Sequence, residues 1–177
     1  MPAVPTSGRR PAKQAASRDA KPDATRLLAE DHREVHALFE QYRQLADGGA
    51  SGDERRPLAE EICTLLTVHA ALEEEIFYPA ARAAGVDASV LDEAEVEHAS
   101  AKDLVAQIRD IEPDAPLYDA KVTVLGEYID HHVREEEQEL FPKCRASAMD
   151  LNGLGVRIAA RKGELMGEMT EGLEVVG

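Results

Sequence analysis

Apolar positions recur along this chain with the period of an α-helix. Leu28, Val35, Phe39 and Tyr42 fall at three-, four- and seven-residue steps. The same steps join Ile62, Leu65, Leu66, Leu72 and Ile76, then Leu91, Ala94, Ala101, Val105 and Ile108, then Leu125, Tyr128 and Ile129. Such steps return to one side of a helix, whereas a strand would alternate every two residues. Turn-forming residues separate the runs. Asp23 is an acceptable N-cap, Asp47-Gly48-Gly49 ends the first run near Ala46, and Pro57 suits the first turn of the second. Pro79 ends or bends that second helix, Gly85-Val86-Asp87 makes a loop, and Pro113-Asp114-Ala115-Pro116 breaks the chain again. The third helix is predicted from about Ser89 to Ile111 and the fourth from about Leu117 to Phe141. Four helices with short connections predict an all-α, antiparallel up-down-up-down four-helix bundle.

Two segments flank it. Residues 150–172 form a short amphipathic fifth helix with Leu151, Leu154, Ile158, Leu165 and Met169 on one stripe. It is expected to pack on the bundle, with self-association into a homo-oligomer as the lesser reading. Residues 1–22 are rich in Ala, Pro, Ser and basic side chains and are expected to be a disordered tail. The chain therefore divides into a tail at 1–22, a bundle at 23–145 and a C-terminal helix at 146–177.

Charge narrows the partners. The net charge is −15, yet residues 1–26 hold six basic side chains against Asp19 and Asp23, so the rest is more acidic still. Such a body repels phosphate backbones, which argues against nucleic acid as a partner of the folded part. Cys63 and Cys144 lack CxxC spacing and are too few for a disulfide framework, and Cys63 projects away from the stripe that carries His69. No apolar run reaches the roughly 18 to 20 residues of a membrane span, and the N-terminus lacks a signal peptide's apolar centre. A cytoplasmic protein is expected.

The chemistry lies on the inward stripes. His69-Ala-Ala-Leu-Glu73-Glu-Glu-Ile-Phe77-Tyr78-Pro79 has a near copy in His132-Val-Arg-Glu-Glu136-Glu-Gln-Glu-Leu140-Phe141-Pro142. In each, a histidine precedes a glutamate by four residues, on one side of a helix, while Glu74 and Glu75 point away as a solvated face. His32 and His36 lie on the first stripe and His98 on the third. The two halves repeat each other: Asp31-His32 then His69 and Glu73, Glu97-His98 then His132 and Glu136. A bundle of two such halves brings one histidine per helix and two glutamates to one level. Buried histidine and glutamate need pairing or a metal, and imidazole with carboxylate suits a dinuclear site of iron, manganese or zinc.

The order His, HxxxE, His, HxxxE, with an aromatic-Pro ending after each HxxxE, resembles the hemerythrin-like proteins, the HHE cation-binding domain family, over about residues 23–145. The resemblance implies two non-haem iron ions, bridged by Glu73, Glu136 and an oxo or hydroxo group, with His32, His69, His98 and His132 as terminal ligands. The family's oxygen carriers take five histidines, with an i, i+4 pair on the third helix, where this chain has Lys102. His36, four after His32, is the counterpart of that missing ligand under the bundle's two-fold symmetry and is proposed as the fifth histidine; packing beside the site is the other reading.

Neighbouring residues are weighed in the same way. The proline landmark sets the register on His132, so His131 is expected at the surface despite forming its own HxxxE with Glu135. Glu139 is expected inward as an extra ligand or a hydrogen-bond acceptor, Tyr128 lines the pocket, ligates or packs, with packing the preferred reading, and Asp31 and Glu97 orient ring N–H groups or are solvated. The family implies binding or sensing of a small ligand, O2, NO or H2O2. Catalase-like peroxide breakdown is the alternative, with iron or nitric-oxide stress handling a third. A ferritin-like oxidase would need two Glu-x-x-His pairs, and only Glu95-Val-Glu-His98 fits.

Overall fold

The computed structural model describes residues 23–174, with side chains to 169, and contains no strand among them. The expected tail at 1–22 lies outside the described residues. Helix α1 (Ala24–Asp47) starts where Asp23 caps it, the Asp23 carboxylate accepting from the Arg26 N–H at 3.2 Å. Gly49, at φ 75°, makes the left-handed turn after it.

Helix α2 (Gly52–Leu72) begins five residues before Pro57. Ser51 and Glu54 explain the shift, because Glu54 reaches back to the Ser51 N–H at 2.8 Å and closes a capping box upstream of the proline. Pro57 therefore sits inside the helix, where its missing N–H forgoes one bond to the preceding turn.

Pro79 bends the backbone rather than ending it. A proline ring crowds the carbonyl four residues back, here that of Glu75, and a wider turn relieves the clash. Glu73–Phe77 is such a π turn: the Tyr78 N–H bonds the Glu73 carbonyl, five residues back, and α3 (Tyr78–Ala83) continues the rod. The second half repeats the device. Helix α4 (Ala88–Asp110) leads to α5 (Tyr118–Glu135), a π turn over Glu136–Leu140 in which the Phe141 N–H bonds the Glu136 carbonyl, and α6 (Phe141–Ala146). Each π turn opens on the glutamate of an HxxxE motif.

The helices close into a ring in which α1 touches α2 and α5, and α4 touches α5 and α2. Helix α7 (Leu151–Glu174) lies outside that ring against α1 and α2. It buries Leu154 and Ile158 in an apolar cluster with Leu28, Val68, Leu72, Ile76, Phe77, Leu91 and Phe141. A second cluster, with Val35, Tyr42, Ile62, Leu66, Val105, Ile108, Tyr118 and Leu125, fills the other end. Between the two clusters lies a buried polar layer of His32, His69, Glu73, His98, His132 and Glu136.

The covering helix accounts for one departure from expectation. Ile76 is buried under α7, but Glu139, its counterpart in the second half, has a side chain 60% exposed and reaches toward Lys143. Tyr128 is also exposed, at 46%. Neither reaches the polar layer. The fold yields a stability test: Ile158→Ala removes apolar contacts shared with Leu72 and Val68 and should cost about 2–4 kcal/mol in chemical denaturation.

Candidate metal centre

Four imidazoles turn their Nε2 atoms toward one another across the polar layer. His32 Nε2 and His69 Nε2 are 3.1 Å apart, as are His98 Nε2 and His132 Nε2. Glu73 lies between the pairs, Oε1 3.2 Å from His69 and Oε2 3.2 Å from His98. Glu136 Oε2 approaches His32 at 3.3 Å and His132 at 3.5 Å. The groups that could hold ions are His32, His69, Glu73 and Glu136 on one side and Glu73, His98 and His132 on the other, with Glu73 common to both.

Outer carboxylates set the ring orientations. His32 Nδ1 is 3.0 Å from Glu137, His98 Nδ1 2.9 Å from Glu74 and His132 Nδ1 2.8 Å from Glu97. A carboxylate only accepts, so these Nδ1 atoms carry hydrogen and the inward Nε2 atoms are left to bind. His69 Nδ1 lies 3.5 Å from Asp31 without a hydrogen bond. Glu97 thus orients a ring N–H, that of His132 on the neighbouring helix and not of His98 beside it in sequence, while Asp31 faces His69 without a hydrogen bond. Glu74 departs from the solvated face expected of it, because it reaches across to α4, where it also pairs with Lys102 at 2.5 Å.

Electrostatics show what the layer lacks. Burial disfavours charge on His69, but Glu73, helped by Asp31 and Glu136, outweighs it and lifts the imidazole to about 10. Burial is likewise overcome at His132, where Glu136 and Glu97 raise the value to about 9. Burial would push the Glu73 carboxyl up, yet His69 and His98 hold it well below the ordinary carboxylate range. His69 faces His32 and His132 faces His98, each pair with its Nε2 atoms 3.1 Å apart.

This environment fits metal ions. Glu73 Oε1, Glu136 Oε2 and His69 Nδ1 are buried without a hydrogen-bond partner. Ligand atoms about 2.1 Å from an ion and at right angles stand about 3.0 Å apart, close to the imidazole separations here. The donor set is nitrogen and oxygen; Cys63 and Cys144 lie in the apolar clusters.

Of the residues expected at the site, His36 does not join it. Its side chain is 59% exposed and its Nδ1 lies 3.2 Å from Asp130. The buried stripe of α1 runs through Leu28, His32, Val35, Leu38 and Tyr42, so a residue after Val35 falls on the flank. Lys102, its symmetry counterpart, is likewise on the rim. Tyr78 was missed. Its hydroxyl donates to Glu136 Oε1 at 2.8 Å and lies 3.3 Å from both Glu73 Oε2 and His98 Nε2. The signal was the aromatic before each proline: Phe141, at the equivalent position, stacks on His32 with no hydroxyl to offer.

A model of the Hemerythrin HHE cation binding domain matches residues 23–144. The chain belongs to this family. Among relatives of this HHE domain, a DNA nickase of Nostoc sp. is 33% identical over 119 residues, covering 67% of this chain but only 32% of the nickase. The uncharacterized protein Rv2633c of Mycobacterium tuberculosis is 27% identical over 128 residues, 71% of this chain and 78% of that one. The crystal structure of an HHE domain-containing protein of Mycobacterium kansasii, a homolog of Rv2633c, superposes with a TM-score of 0.72 at 24% identity, covering 86% of this chain and 92% of that one. No helix among the described residues is long and apolar enough to cross a membrane.

The raised values of His69 and His132 give a pH prediction for the metal-free HHE domain. His69 and His132 hold protons more tightly folded than unfolded, so their contribution is complete below the unfolded value near 6.5 and is lost as pH rises through about 9 to 10. The Tm of the metal-free protein should fall between about pH 7 and 10. A flat Tm across that range would contradict the raised values of His69 and His132.

Proposed function

We propose that this protein holds two iron ions in the polar layer and binds a small ligand there, O2, NO or H2O2, with oxygen binding or sensing the leading use. The observation that carries the reading is the pairing of the four converging imidazoles with a small apolar cavity that opens onto them. The cavity encloses about 30 Å³ and is lined by His32, His69, His98 and His132 together with Val35, Leu66, Ala101, Val105 and Ile129. Space on this scale takes a diatomic molecule or a water or two. When bound, the iron pair supplies a Lewis-acid seat and two electrons for such a ligand.

The chain's own residues do the rest. His32 and His69 would hold one ion and His98 and His132 the other, with Glu73 and Glu136 shared between them. Glu137, Glu74 and Glu97 hold the rings in register through Nδ1. The apolar walls exclude bulk water. The Nostoc relative's nickase activity finds no support in so acidic a body.

Tyr78 favours a second reading, catalase-like breakdown of peroxide. Burial, then the charges of Glu73 and Glu136, keep its phenol protonated well above the ordinary tyrosine range. It therefore retains an O–H donor beside the atoms that would hold metal, as the cleavage of an O–O bond requires.

Iron-loaded protein should contain two ions per chain by elemental analysis, and Glu73→Ala or Glu136→Ala should reduce the count; full occupancy in both variants would overturn the shared-carboxylate assignment. Ala101→Leu should fill the cavity and weaken NO binding, followed in the visible spectrum, by at least about tenfold while the metal count stays unchanged. For the peroxide reading, Tyr78→Phe should lower kcat for H2O2 by about 10²-fold at unchanged iron content. Undiminished turnover would remove Tyr78 from the reaction.

A further inference from the structure

A second convergence of imidazole and carboxylate lies at the surface. His131 Nε2 is 3.3 Å from Glu135 Oε1 and 3.5 Å from Glu97 Oε1, and one ligand atom from each residue lies within 4.8 Å of the others. His131 and Glu135 stand one turn apart on α5, while Glu97 comes from α4. Glu97 also faces inward, its Oε2 accepting from His132 Nδ1 at 2.8 Å. One carboxylate thus touches an exposed imidazole with one oxygen and an imidazole of the buried layer with the other.

The internal two-fold symmetry supplies a comparison within the same molecule. Val68, Leu72 and Asp31 hold the positions equivalent to His131, Glu135 and Glu97. Val68 and Leu72 are buried in the apolar cluster that includes Leu154 and Ile158 of α7. Asp31 is paired with Lys162 of the same helix at 2.6 Å. There α7 covers the approach to the polar layer and provides the cation that Asp31 needs. On the related side the His131 side chain is 56% exposed and that of Glu135 34%. An exposed imidazole and a half-exposed carboxylate stand beside Glu97, whose side chain is 16% exposed, where the other half has two buried apolar side chains and a lysine beside Asp31.

We propose that Glu97, His131 and Glu135 form an outer divalent-cation site from which ions pass to the buried layer. Nitrogen and oxygen donors at an exposed position suit a first-row divalent ion that keeps several waters and exchanges readily. Glu97 joins the outer position to the inner one. The transfer step rests on reading the buried layer as a metal centre; binding at the outer site does not.

The test uses full-length metal-free protein and Co²⁺ without oxygen. The double variant His131→Asn with Glu135→Gln leaves Glu97 in place. Equilibrium dialysis counts all bound Co²⁺, and a brief passage over chelating resin leaves only the buried ions. The wild type should hold one more Co²⁺ than the variant at dialysis equilibrium. At limiting Co²⁺ the variant should reach the same buried count more slowly, by roughly tenfold, as loss of a local charge focus implies. Equal total counts would overturn the outer site, and equal filling rates would overturn transfer through it. Wild-type protein that keeps no Co²⁺ after the resin would instead overturn the buried metal centre, and transfer with it, while an extra dialysable ion would still support the outer site.

Discussion

Two carboxylates buried at mid-height in a helical bundle are the constraint around which the molecule is arranged. Removing an ionised carboxylate from water costs several kcal/mol unless positive charge or hydrogen bonds offset it. Glu73 is wholly buried and Glu136 nearly so. Their charge is met by four imidazoles, three of which are oriented by further carboxylates closer to the surface. The result is a polar layer between two apolar clusters, buried from bulk solvent. That exclusion strengthens every interaction inside the layer and leaves buried oxygens that only a cation or a proton can satisfy.

The symmetry of the two halves is close in ligands and broken in surroundings. Both halves carry a π turn that begins at the glutamate of an HxxxE motif and ends before an aromatic-proline pair, and both send a carboxylate across to the opposite half's histidine. The differences lie outside that frame. Helix α7 packs on α1, α2 and the Glu73–Phe77 turn, so Val68, Leu72 and Ile76 are covered while His131, Glu135 and Glu139 lie at or near the surface. Tyr78 brings a hydroxyl to the layer where Phe141 stacks its ring on His32. A duplicated site thereby acquires a closed side and an open one, and a proton donor over one imidazole pair.

The placement of the π turns links backbone to chemistry. Proline two residues past Phe77 and one past Phe141 cannot be accommodated in a regular α-helix without loss of a bond and a clash. The five-residue hydrogen bond from Tyr78 to Glu73, and from Phe141 to Glu136, absorbs that strain at the residue whose carboxylate must face the centre. The same irregularity swings Glu74 and Glu137 toward the Nδ1 atoms of the adjacent helices, where a regular face would have pointed them at water.

The helices, their order and the inward direction of His32, His69, His98, His132, Glu73 and Glu136 were legible in the sequence, because helical period and the repeated HxxxE spacing are local properties of the chain. His36 was misread because angular proximity to His32 says which quadrant a side chain occupies but not where the neighbouring helix's edge falls; His36 meets α5 at the exposed Asp130. Tyr78 and Glu74 depended on a turn geometry that a fixed 100° step does not contain, and Glu139 on the absence of a covering helix over its half. Which half is covered by α7 is decided only when the fifth helix docks, since its apolar stripe matches one flank of a nearly symmetric bundle. Sequence alone thus determined the kind of centre this chain can build; tertiary packing decided which atoms reach it and which side stays open, because those depend on contacts between residues far apart in the chain.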